Sequence, residues 1–319
     1  MEPNLGRRIG LNRSKRLSEK NDDKDFDHDW LENNPDYVKR LSKERIEKCL
    51  DKAESAMKNE PAFLEIEGKT IFVGDTHGDF TITKEVSKRF FEDKTQKIVF
   101  LGDYIDRAPE DAGTSVPNIA YLLFLKCAYP DNVILLKGNH EAASVIPCIP
   151  YEFKDEIESL YPGMHEKFLQ VFNQMPLMVL VNNIFAAHGG ILKGYKLEQL
   201  RTVNKTDAYA IETLTWSDPV ISKIDRGAGT PFTGTDVKEF LKGIGAKVFI
   251  RGHDYNTLGT VIFGRTCLTI FSSRRYVSRG NKGILIAKTY KEISNIKDIV
   301  IEDFSTKEWK KYHVKILKK

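Results

Sequence analysis

Nothing in this chain points to an oxidised, membrane-spanning or polyanion-coating protein. It has only four cysteines, Cys49, Cys127, Cys148 and Cys267, and no C-x-x-C spacing. A disulfide framework or a thiolate zinc site needs sulfur at closer intervals. Three of the four lie in or beside apolar runs, where a free buried thiol is the expected state. That suits a reducing compartment. No apolar stretch reaches the roughly 18 residues a membrane helix needs. The longest, Met175 to Ala187, is broken by Pro176 and Asn182-Asn183. The amino terminus is polar and charged and does not read as a secretory signal, so a cytoplasmic location is expected. Charge of one sign is scarce too. A net +4 over 319 residues provides little field for a nucleic acid or an anionic membrane.

What the chain does have is a repeated way of ending its apolar runs. Ile71-Phe72-Val73 is followed by Gly74-Asp75-Thr76-His77-Gly78-Asp79. Ile98 to Leu101 is followed by Gly102-Asp103-Tyr104-Ile105-Asp106-Arg107, and Val133 to Leu136 by Lys137-Gly138-Asn139-His140-Glu141. Phe185-Ala186-Ala187 leads into His188-Gly189-Gly190, and Val248-Phe249-Ile250 into Gly252-His253-Asp254. Each apolar run reads as a buried strand. Taken alone, Asp-Gly or Asn-Gly at a strand end is an ordinary turn. Five such ends carrying Asp, His or Asn are not explained by turns. Open α/β sheets bind ligands at the carboxyl ends of their strands, so these residues are expected to converge. The first three runs stand roughly 30 residues apart, the spacing of strand, crossover helix and next strand.

Residues 1–33 are charged, with few apolar anchors, and are expected to form a disordered arm. Asp25 to Asp29 within it resembles a metal loop but lacks a preceding strand, and reads as a solvated charge run. Residues 34–319 are expected to form one catalytic domain. Asn34-Pro35 starts helical structure, and apolar residues at helical spacing continue to about Lys58. Phe63 to Ile66, Glu67-Gly68 and the strand beginning at Thr70 suggest a hairpin. Asn118 to Ala128 is apolar almost all round, so that helix should be buried. Leu177 to Ala187 reads as a hairpin turning at Asn182-Asn183, and Val261 to Phe271 as another. The first half is βαβ-like and the second half rich in antiparallel strands. The expected fold is α/β (α+β), a central β-sandwich of two mixed sheets flanked by helices.

Carboxylate, imidazole and amide oxygen without thiolate suit two divalent ions of the Mn, Fe or Zn type, with Mn put first. Five strand ends supply more ligands than one ion needs. Asp103 is the natural bridge, since its two oxygens can face two ions. Two ions roughly 3.5–4 Å apart can hold a hydroxide and clamp a phosphoryl group for in-line attack.

Gly-Asp-x-His-Gly, Gly-Asp-x-x-Asp-Arg, Gly-Asn-His-Glu, His-Gly-Gly and Arg-Gly-His occur here in that order. Together they resemble the PPP family of serine/threonine protein phosphatases, from about Leu41 to about Ala287. Leu214 to Pro219 and Asp225-Arg226-Gly227 resemble two further stretches of the protein-directed members. The resemblance implies a metal-dependent phosphatase acting on phosphoserine and phosphothreonine, with phosphoproteins as substrates and regulatory proteins as partners. It puts Asp75 and His77 on one ion, Asp103 between the two, and Asn139, His188 and His253 on the other. It makes His140 the general acid, oriented by Asp106, and sets Arg107 and Arg226 against the phosphate. Tyr276 is implied near the metals, with Asp218 as a supporting group. No cysteine is followed by five residues and an arginine, so a phosphocysteine route is not expected.

The chain departs from the family pattern in places. Lys137 stands for an arginine, Ala108 for a glycine after Asp-Arg, and Ser273-Arg274-Arg275-Tyr276 for Ala-Pro-Asn-Tyr. Arg274, Arg275, Arg279 and Lys282 read as a basic rim for acidic phosphopeptides. The rival readings are a phosphoesterase acting on dinucleotide polyphosphates or nucleic acid, and a non-catalytic binding module. His253-Asp254-Tyr255 lacks the Gly-His-x-His of the nucleases, and Trp216-Ser217-Asp218-Pro219 favours the protein-directed group.

Overall fold

The computed structural model describes residues 28–277 and 283–317. The bulk of the expected arm lies outside these residues; residues 28–33 form a short helix in which Leu31 is fully buried. The 3₁₀ turn Pro35–Arg40 and the helix Lys43–Lys58 follow, the latter capped by Ser42.

Among the described residues the strands are β1 Phe63–Ile66, β2 Thr70–Val73, β3 Lys97–Phe100, β4 Val133–Leu135, β5 Met178–Val181, β6 Ile184–Ala187, β7 Val248–Arg251, β8 Thr260–Ile262, β9 Cys267–Thr269, β10 Leu285–Thr289, β11 Val300–Asp303, β12 Lys310–Lys311 and β13 Lys315–Ile316. They form two mixed sheets, ordered β1-β5-β6-β7-β9-β8-β13 and β12-β11-β10-β2-β3-β4. The sandwich with outer helices is thus as expected. Alternation of side chains across each strand explains the apolar runs. Phe72, Val99 and Leu101 face the other sheet, where they meet Val179, Ile250 and Leu268. Ile71, Val73, Ile98 and Phe100 face outward under the buried helix Val116–Ala128 and its neighbours. Strands covered on both faces read as continuous hydrophobic sequence.

One expected hairpin is corrected. β1 and β2 do not pair: β1 lies parallel to β5, and β2 lies between β3 and β10 in the other sheet. Gly68, at φ 100°, turns the chain between the sheets rather than back along one. The hairpins β5–β6 and β8–β9 form as expected. β2, β3 and β4 are parallel, and so are β6 and β7. Their carboxyl ends consequently open at one edge of the sandwich.

No helix among the described residues is long and apolar enough to cross a membrane.

Candidate metal and phosphate site

Those carboxyl ends bring the residues together. Asp103 lies at the centre, its Oδ2 3.5 Å from His77 Nε2, 3.3 Å from His188 Nε2 and 4.0 Å from His140 Nε2. Asp75 Oδ2 lies 3.9 Å from His77 Nε2, and Asn139 Oδ1 3.1 Å from His188 Nε2. The rings of His188 and His253 stand 5.0 Å apart. Two overlapping groups, His77, Asp103 and His140, and Asp103, His188 and His253, place donor atoms within 4.8 Å of one another.

The backbone holds these groups in conformations few sequences choose. His77, Asp103, Asp106, Arg107 and His253 all have positive φ, between 41° and 65°, where non-glycine residues are uncommon. Such backbone persists only where its surroundings enforce it. Glu141 does so at Asp103: its carboxylate accepts from the amides of Asp103 (2.8 Å), Tyr104 (2.8 Å) and Gly138 (3.0 Å). Glycines provide the clearance. A side chain at Gly252 would collide with the Asp75 carboxylate, and one at Gly138 with Asp103.

The donor set fits metal ions. His77 Nδ1 lies 3.0 Å from the Ile105 carbonyl, so Nδ1 carries the proton and Nε2 presents a lone pair. That Nε2 is buried without a hydrogen-bond partner, as is His253 Nε2. Two orphaned imidazole lone pairs beside buried carboxylates are what cations would satisfy. Burial, above all, holds the pKa of both rings well below the ordinary histidine value, His253 being pressed further by Arg226 and His188. Neutral imidazole is the ligating form. Burial pushes the Asp75 carboxyl up to about 7, with Asp103 adding to the shift. At Asp103 burial acts the same way, but His188, His140 and His77 outweigh it and keep the carboxyl well below the usual range.

His140 is fully buried, and its Nδ1 meets Asp106 Oδ2 at 2.5 Å. The other Asp106 oxygen accepts from the amides of Glu152 and Phe153, both at 2.7 Å. Burial opposes the charged imidazole, yet Asp103 and the Asp106 hydrogen bond raise its pKa to about 10. Cys148 Sγ also touches the ring, 3.4 Å from Nε2.

Arg107 and Arg226 line one cavity of about 240 Å³ together with Asn139, Trp216 and His253. Asp218 Oδ2 accepts from Arg226 Nε at 2.5 Å, and its Oδ1 from the buried Arg251 at 3.0 Å. Asp218 therefore aims Arg226. Tyr276 is buried, its ring 5.8 Å from that of His77. Burial pushes its hydroxyl up to about 12, against the opposing charge of Arg107. All twelve residues singled out in the sequence thus gather at one edge. Arg274 does not keep its place in the basic rim: Asp79 and Asp111 hold its guanidinium. Arg279 and Lys282 lie outside the described residues. Glu141, Glu152 and Arg251 support the site without having been assigned a role from the sequence. Two of them carried a signal, Glu141 as the last residue of Gly-Asn-His-Glu and Arg251 as the first of Arg-Gly-His.

The sequence matches the Metallophos family, described as calcineurin-like phosphoesterase, over residues 68–256, more than half of the chain. The chain belongs to the calcineurin-like phosphoesterases. Among its relatives, a probable serine/threonine-protein phosphatase of Encephalitozoon cuniculi is 32% identical, over 69% of this chain and 49% of that protein. Serine/threonine-protein phosphatase T of Trypanosoma brucei brucei is 31% identical, over 83% of this chain and 62% of that protein. The chain thus spans less than two thirds of either relative. A Saccharomyces cerevisiae serine/threonine phosphatase, described as similar to human phosphatase PP5, has the same fold, with a TM-score of 0.71 at 24% identity, covering 82% of this chain and 89% of that one.

Proposed function

We propose that this calcineurin-like phosphoesterase is a protein phosphatase that hydrolyses phosphoserine and phosphothreonine in one step, without a phosphoenzyme. One observation carries the reading: an imidazole clasped by a carboxylate, His140 on Asp106 at 2.5 Å, beside two orphaned imidazole nitrogens around Asp103. Asp75, His77 and Asp103 would hold one divalent ion, and Asp103, Asn139, His188 and His253 a second. Mn is the first choice for this oxygen and imidazole donor set, with Fe or Zn as alternatives. Bound ions supply a nucleophilic water at neutral pH and a counter-charge for the phosphoryl group.

The remaining chemistry belongs to the chain. Serine and threonine alkoxides are poor leaving groups, so the departing oxygen needs a proton. His140 presents Nε2 for that transfer, while Asp106 fixes the ring through Nδ1 and stabilises its charged form. Arg107 and Arg226 offer guanidinium forks to the phosphoryl oxygens, and Asp218 aims the second of them. Residues 34–319 act as one catalytic domain on phosphoproteins, with regulatory proteins as further partners. Four free cysteines fit a cytoplasmic setting.

The test compares wild type with His140→Ala, with and without Mn²⁺, on a phosphothreonine peptide and on p-nitrophenyl phosphate. The nitrophenolate leaves without help. We expect Mn²⁺-dependent turnover, with the variant losing roughly 10²–10⁴-fold on the peptide and much less on the aryl ester. Equal losses would reduce His140 to positioning. No peptide turnover with any metal, but turnover of a dinucleotide polyphosphate, would replace the protein-phosphatase reading.

A further inference from the structure

Arg274 stands where the family pattern has another residue, and it is engaged on both sides. Toward the interior it meets Asp79, which is fully buried. Its backbone amide donates to Asp79 Oδ2 at 2.7 Å, its Nε lies 3.0 Å from both carboxylate oxygens, and its Nη2 lies 2.9 Å from Oδ1. Toward solvent, Nη1 lies 2.7 Å from Asp111 Oδ2. These partners belong to different elements. Asp79 caps the helix Phe80–Phe91 at the end of the Asp75–His77 turn. Asp111 lies in the 3₁₀ turn Glu110–Ala112, four residues beyond Arg107. Arg274 itself opens the short helix Arg274–Val277 that carries Tyr276. Next to it, Arg275 Nη1 donates to the Ala108 carbonyl at 3.2 Å. Ala108 packs so closely on Gly78 that a side chain there would stand 2.6 Å from the Ala108 methyl.

We propose that Arg274 is a positioning residue: its guanidinium clasps Asp79 and Asp111, and so holds the Arg107 loop and the Tyr276 helix at the separation at which they receive a phosphoryl group. The physical reason is geometric. Arg107 stands on left-handed backbone (φ 54°), which relaxes unless its loop is restrained at both ends. One end is held by Asp106 and by the Arg107 amide, which donates to Glu152 at 2.9 Å. The other end is held by Asp111 on Arg274. A planar fork suits this task because it can address two carboxylates at once, which an ammonium does less well. The clasp rests on the phosphatase reading for its purpose, though not for its existence.

The experiment uses the full chain and three variants, Arg274→Gln, Arg274→Lys and Asp111→Asn. It records kcat and KM on a phosphothreonine peptide without acidic residues and on an acidic one. It also records equilibrium binding of inorganic phosphate in Mn²⁺, and amide exchange of residues 107–113 in the metal-free protein. Arg274→Gln should weaken phosphate binding and raise KM roughly tenfold on both peptides, with kcat changed by less than about threefold. Exchange over 107–113 should quicken. Asp111→Asn and Arg274→Lys should each move the same quantities part of the way. If Arg274→Gln fails to fold, Asp111→Asn, altered only at the exposed partner, decides. Unchanged phosphate affinity together with faster loop exchange would overturn the proposal, since the clasp would then be structural only. A lower KM for the acidic peptide alone in Asp111→Asn would also overturn it, because Arg274 would then be a direct substrate contact. Wild-type protein that binds phosphate but turns over no phosphoester would refute the phosphatase reading, and the exchange and binding results would still judge the clasp.

Discussion

Five of the site's non-glycine residues stand on left-handed backbone, and the groups that hold them there are mostly carboxylates accepting amide protons. Glu141, Asp106 and Glu152 each bond backbone N–H groups of loops other than their own. Glu141 and Asp106 are fully buried, and a buried carboxylate satisfied by amides is a rigid strut, since releasing it leaves both charge and donors unpaired. His165 lies apart from the site and titrates for a simple reason. Its ring nitrogen Nε2 meets the Tyr151 hydroxyl at 3.0 Å, and burial lowers its pKa. The unfolded chain therefore binds more protons below about pH 6.5, so this stability is complete above that value and is lost as pH falls. In the metal-free protein, the loss of Tm between about pH 7.5 and about pH 5.5 should be smaller in His165→Gln than in wild type. Equal losses would mean that His165 keeps its ordinary affinity for protons.

At the scale of the element, turn chemistry decided where each strand went. Asn182 and Asn183 both take left-handed backbone, at φ 51° and 65°, the geometry of a two-residue hairpin turn. Asn182 also donates to the Gly68 carbonyl at 2.7 Å, tying this turn to the crossing between the sheets. Asn182→Val should cost about 1–2 kcal/mol, measured by urea unfolding, while activity per folded molecule stays near wild type. Gly68 looked like half of a similar turn. Glu67-Gly68 and Asn182-Asn183 are both good local turns, and local chemistry does not say whether the next strand returns to its neighbour or crosses to a second sheet. That choice belongs to the partner strands β5 and β10.

At the scale of the molecule, two sheets deliver the proposed ligands to one edge. Sheet β12 to β4 provides Asp75, His77, Asp103 and Asn139, and sheet β1 to β13 provides His188 and His253. Ions held by all six would cross-link the sheets and relieve buried carboxylates and imidazoles of their desolvation. Ligands that bind only the native state stabilise it by mass action, by about 2.7 kcal/mol at a hundredfold excess over Kd. Mn²⁺ should therefore raise the Tm of chelator-treated protein, and Asp103→Asn should remove most of that rise. A Tm indifferent to Mn²⁺, Fe²⁺ and Zn²⁺ would contradict the assigned ligands.

The choice of twelve residues to watch came from the resemblance to the PPP phosphatases. The amino-acid order alone determined that five apolar runs end in metal-type side chains and that the first half alternates strand and helix. These features are legible because buried strands must be apolar on both faces and because ligand residues sit at fixed offsets from strand ends. Only the tertiary structure decided that β1 and β2 belong to different sheets. It also decided that Arg274 faces inward to Asp79 and Asp111, and that Glu141, Glu152 and Arg251 brace the site. Those outcomes depend on hydrogen bonds and ion pairs between residues tens to nearly two hundred positions apart. No periodicity or motif encodes which distant carboxylate will meet which amide or guanidinium; that is settled when the two sheets pack and their strand ends come into register.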